Sequence, residues 1–114
     1  MGSKSTTLLA GIASQNATLY HRVRFLVPDS SVIIDFADGK SVFLVRDIEM
    51  ERARQEAPAD RVCCAADFTP ENGLSGDRDT ALAQAAAECV RLAGERDVTV
   101  DRSLPYLYAH HLQE

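Results

Sequence analysis

Residues 31–57, SVIIDFADGKSVFLVRDIEMERARQEA, impose an order of elements on the chain: strand, tight turn, strand, helix. Val32, Ile33, Ile34 and Phe36 form one β-prone run, and residues 42–45, Val-Phe-Leu-Val, form a second. Asp38-Gly39 between them supplies the residue types that a hairpin turn needs at positive φ. Asp47 is placed to cap a helix whose charged positions outnumber its apolar ones. Almost nothing in the stretch is catalytic in character, so it describes a scaffold.

At 114 residues the chain is sized for one domain, with enough core to fold without staples. Its net charge of -5, from 12 basic and 17 acidic residues, argues against a nucleic-acid partner, because phosphate binding requires clustered cations. Arg22 and Arg24 stand together, and Arg46, Arg52 and Arg54 are dispersed among Asp47, Glu49, Glu51 and Glu56, which is the pattern of a self-paired surface. Cys63, Cys64 and Cys89 make neither a disulfide framework nor a CxxC metal pattern. That implies a reducing, cytoplasmic setting. On one strand the adjacent pair would point to opposite faces, so cover on both sides would bury both thiols.

No apolar run approaches the roughly 20 residues that a bilayer demands. Residues 1–6, MGSKST, fit an N-myristoylation pattern, but one acyl chain without a polybasic neighbour anchors weakly, and an ordinary terminus or expression scar accounts for them. Asn16-Ala17-Thr18 is a glycosylation sequon only in a secreted protein. No membrane association is expected.

Thr6 to Ile12 suits a first strand, and Gln15-Asn16 makes a break. Thr18 to Phe25 is ambiguous, since Leu19, Val23 and Leu26 have helical spacing whereas Val23, Phe25 and Val27 alternate. Pro28-Asp29-Ser30 is a turn, and Pro58-Ala59-Asp60 closes the helix that begins near Asp47. Arg61 to Phe68 suits a strand lying beside the hairpin after a right-handed helical crossover. Thr69 to Gly76 is a loop whose only charged side chain is Glu71. Asp77 to Ala93 is the clearest helix, capped by Asp77 or Asp79, with Ala81, Leu82, Ala85, Ala86, Cys89, Val90 and Ala93 on one face and Gly94 just beyond its end. Asp97 to Asp101 alternates as a final strand, and Ser103 with Pro105 opens a last helix through about Leu112.

Chemistry finds little purchase in this pattern. His110 and His111 diverge by about 100° on a helix and cannot share a metal, and His21 is alone. Asp35, Glu49 and Asp67 form the one plausible carboxylate trio for a Mg²⁺-dependent nuclease, but Asp35 suits an outward strand position and the acidic balance would repel phosphate. No nucleophile elbow or phosphate-cradling glycine loop is present, and Gly73 and Gly76 fit ordinary turn chemistry.

Three phrases taken in order carry a resemblance: Asn16 to Phe25 (NATLYHRVRF), Gly39 to Arg54 (GKSVFLVRDIEMERAR, with Glu49 and Arg52-Ala53), and Val98 to Leu112 with Ser103-Leu104-Pro105. From about Leu8 to the end, the chain resembles the N-terminal domain of the creatinase, prolidase and aminopeptidase P metallopeptidases. The resemblance implies a ribonuclease H-like α/β layer without catalytic residues, followed in the family by a larger "pita-bread" domain that holds two divalent metal ions through two Asp, one His and two Glu. None of those ligands is matched here, so the resemblance implies that the catalytic domain is absent from these residues.

The expectation is thus an α/β domain over residues 8–114 with a mixed sheet of five or six strands and helices on both faces, preceded by a flexible terminus over residues 1–7. No catalytic, cofactor or metal residue is assigned. The resemblance implies an accessory role beside the C-terminal catalytic domain of the same polypeptide, in subunit contacts of a homo-oligomer and in access to the active site. The parent would be a metal-dependent aminopeptidase or dipeptidase while this chain is inert. A free-standing interaction or small-ligand module and a Mg²⁺-dependent nuclease are the rival readings.

Overall fold

A computed structural model describes residues 6–26, 29–94 and 98–100. Strand β1 (Thr6–Gly11) is followed by helix α1 (Ala17–Val23), the hairpin of β2 (Ser31–Asp35) and β3 (Ser41–Leu44), helix α2 (Met50–Glu56), strand β4 (Arg61–Cys63), helix α3 (Arg78–Leu92) and strand β5 (Val98–Val100). The strands lie in the order β4-β3-β2-β1-β5. Pairing is antiparallel in β1–β2 and β2–β3 and parallel in β3–β4 and β1–β5. The mixed α/β sheet expected from the sequence is present. Its body is β1 to β4, and the three-residue β5 is needed to reach even the lower of the expected strand numbers.

The unbroken apolar runs of the hairpin are explained by cover on both sides of the sheet. In register, Val32 faces Leu44 and Ile34 faces Val42, and these pack with Leu8, Ala10 and the buried side of α3. Ile33 faces Phe43, and this pair packs on the opposite side with Leu19 and Val23 of α1 and Ala53 of α2. The buried alanines of α3 allow it to lie close over the sheet, whereas Ala93, expected on the same face, caps the helix and is exposed. The two crossovers are geometrically consistent. From β3 the chain steps outward to β4 through α2 on one face, then returns across the sheet to β5 through α3 on the other, as a single crossover hand requires.

Of the two residues expected at positive φ in the hairpin turn, only one adopts it. Phe36 N–H donates to Lys40 O (2.8 Å), Gly39 N–H donates to Phe36 O (3.0 Å), and Gly39 alone is left-handed, at φ 93°, while Asp38 is not. This is the longer loop that places one glycine after a turn. The Asp38 carboxylate instead accepts from Lys40 N–H at 2.9 Å.

The ambiguity at residues 18–25 resolves as helix because of its ends. Asn16 Oδ1 accepts from Leu19 N–H (3.1 Å), and Arg24, at φ 50°, turns the chain out while its N–H donates to Tyr20 O (2.7 Å). Asp77, of the two candidates, caps α3 by accepting from Thr80 N–H at 2.9 Å, and Gly94 is left-handed beyond the end.

Three expectations are corrected. The strand expected over residues 61–68 ends at Cys63, since Asp67 Oδ2 reaches back to accept from Cys64 N–H (2.9 Å) and closes a 3₁₀ turn over Ala65–Phe68. Cys64 therefore leaves the sheet half-exposed, and only Cys63 of that pair is buried. Asp47 does not cap an α-helix: it opens a 3₁₀ turn (Asp47–Glu49), with its carboxylate on the adjacent Ile48 N–H, before α2 starts at Met50. The first strand does begin at Thr6 as expected, so the ordered part starts before the expected bound at residue 8, and Thr6 is 1% exposed with its Oγ1 accepting from Ala37 N–H.

The last helix expected through Leu112, with His110 and His111, lies outside the described residues, as do Pro28 and residues 1–5 of the acylation pattern. Among the described residues no helix is long and apolar enough to cross a membrane. Phe43 is fully buried and meets Phe25 edge to face at 5.9 Å. Phe43→Ala is expected to lower the unfolding free energy by about 3–5 kcal/mol, measured by urea denaturation.

Candidate functional site

The three carboxylates that could have gathered a metal are each engaged elsewhere. Asp35, at the end of β2, accepts from Arg22 Nε (2.9 Å) and Nη2 (2.6 Å), a two-point pair, while Arg22 Nη1 donates to Pro58 O (2.9 Å). One guanidinium thus ties α1 to β2 and to the connection between α2 and β4. Hydrogen bonding to Asp35 holds the Arg22 pKa above its ordinary value, against the opposing effect of burial. Glu49 pairs with Arg52 at 2.7 Å, and Asp67 closes its turn. Among the described residues no group of three His, Cys, Asp or Glu is placed to hold a metal. His21 is exposed on α1.

Arg52 joins further parts. Its guanidinium stacks over Phe25, 4.3 Å from the ring centre, and Nη2 donates to Leu26 O at 3.2 Å. Arg52 thus pairs with Glu49 and Glu56 on the self-paired surface expected from the sequence, and these two arginines also act as struts between elements. Asp60 was read only as part of a helix-closing segment, yet its carboxylate accepts from Ser41 N–H (2.7 Å) and Ser41 Oγ (3.1 Å), fixing the start of β3 beside β4. Sequence spacing carries no signal for a contact between residues 19 positions apart.

One concave candidate among the described residues is a cleft of about 320 Å³ at the carboxyl ends of β3 and β4. Residues 45–47, residues 64–66, residues 29–30 and the start of α3 line it. Open α/β sheets commonly bind ligands beyond the carboxyl ends of parallel strands. Asp29 stands at its rim, with Oδ2 on Arg46 (3.2 Å) and Oδ1 on Arg78 (3.3 Å). The sequence reading gave none of these residues a site role, because four separate segments contribute them.

The comparisons with known proteins follow this geometry. No protein-family model matches the chain, and no curated protein matches it. Among solved structures, a Xaa-Pro dipeptidase from Bacillus anthracis matches with a TM-score of 0.67 at 15% identity, over 96% of this chain and 26% of that one. The fold is similar to part of that dipeptidase. The chain spans about a quarter of the dipeptidase's length.

Two predictions test these contacts. The Arg22–Asp35 side chains are 28% and 35% exposed, so solvent screens them in part. A double-mutant cycle of Arg22→Gln and Asp35→Asn should give a coupling of roughly 1 kcal/mol in denaturation. Burial pushes the Cys89 thiol from 9.0 up to about 11, and Cys63 upward as well. In the unfolded chain these thiols ionise first, so stability is intact below pH 9.0 and is lost as pH rises towards about 11. Urea denaturation at about pH 8 and about pH 10.5 should show that decline, and Cys89→Ala should flatten it.

Proposed function

We propose that the chain is the non-catalytic N-terminal domain of a metallohydrolase related to Xaa-Pro aminopeptidases, prolidases and creatinases. The observation that carries this reading is the fold correspondence, which takes in 96% of this chain but only 26% of the dipeptidase. Its contribution would be steric and organisational: subunit contacts in a cytoplasmic homo-oligomer and a wall that limits access to an active site. Two divalent metal ions and their ligands would belong to a C-terminal domain of the same polypeptide. The engagement of Asp35, Glu49 and Asp67 in separate structural contacts supports an accessory role over a Mg²⁺-dependent nuclease.

The test is the intact mass of the endogenous polypeptide carrying this sequence. A mass several-fold above 12.5 kDa, with the expected metal ligands in the additional part, is the predicted result. A mass near 12.5 kDa would overturn the reading.

A further inference from the structure

We infer that the cleft beyond β3 and β4 is a binding site for a small zwitterion, a free α-amino acid with a short branched aliphatic side chain. This goes beyond the accessory role and does not depend on it. Three features of the lining point to that chemistry. The floor is apolar, with Ala81 and Leu82 of α3 beside Ala65 and Ala66, which suits a few carbon atoms better than an inorganic ion.

The rim carries both signs. Arg46 and Arg78 face Asp29, while Asp47 and Asp79 complete the edge, so two cations stand among three anions. A simple anion is disfavoured by that balance, whereas a molecule with both an ammonium and a carboxylate meets both signs. The arginines are also incompletely used. Each contacts Asp29 through one Nη1, at 3.2 and 3.3 Å, which is long for a charge-assisted bond, and a guanidinium has five N–H donors. Asp29 therefore marks where a carboxylate binds while leaving donors for a second one. The ligand carboxylate would lie on Arg46 and Arg78, its ammonium towards Asp47 and Asp79, and its side chain over Leu82 and Ala65.

The experiment is titration of the isotope-labelled chain with L-leucine, followed by the backbone amide signals of Arg46, Ala65, Ala66 and Leu82. Isovalerate, which lacks the ammonium, and isoamylamine, which lacks the carboxylate, are titrated in parallel. Saturable shifts at those amides with leucine, about tenfold weaker binding of both analogues, and about tenfold weaker leucine binding to Arg78→Gln are expected. The Arg78 side chain is 62% exposed, and an unchanged spectrum away from the cleft establishes that the variant is folded. Absence of saturable shifts at the cleft would overturn the proposal. So would either analogue binding as tightly as leucine, or Arg78→Gln binding undiminished.

Discussion

The pairing of Ile33 with Phe43 across the hairpin is the contact on which the other layers rest. Both side chains are fully buried, and α1 and α2 meet the sheet around them, while Val32 and Ile34 on the other side of the same strand receive α3. This arrangement creates a problem of register. Where one face of a sheet is wet, a one-residue slip exposes the core and is penalised; where both faces are dry, the hydrophobic pattern discriminates weakly. Here polar contacts at the strand ends fix the register. Gly39 sets the length of the turn, the Asp35–Arg22 pair marks the end of β2, and Asp60 holds the start of β3 through Ser41.

Charged side chains thus act as struts between elements distant in sequence. Arg22 joins α1, β2 and the segment before β4; Arg52 joins α2 to Phe25 and Leu26; Asp29 joins Arg46 to Arg78. Their surfaces remain partly wet, so each is worth little in energy. What they supply is geometric: opposite charges are satisfied in one arrangement of the helices and not in its slipped alternatives. The same use explains why an acidic chain with many carboxylates gathers no metal-binding trio among its described residues, since the best-placed carboxylates are occupied.

Much of the scaffold was legible in the sequence. The hairpin and α3 were read with nearly their observed bounds, because each combines a strong period with local end signals such as Gly39, Asp77 and Gly94. Helix α1 was not decidable from periodicity, since its apolar residues satisfy two patterns; Asn16 as cap and Arg24 in a left-handed turn decide it. The strand over residues 61–68 was overextended because a reach from Asp67 to Cys64 looks like any acidic residue in a short run. The cleft was not legible, as Asp29, Arg46 and Arg78 are brought together only by folding.

By itself the sequence determined the kind of elements and their order, because backbone preference, turn chemistry and apolar period act over a few neighbouring residues. Only the tertiary structure decided which edge β5 takes, which thiol of the Cys63–Cys64 pair is buried, and which carboxylates pair with which arginines. Those choices depend on the crossover of α2 and α3 over opposite faces of one sheet, and hence on contacts between residues far apart in the chain.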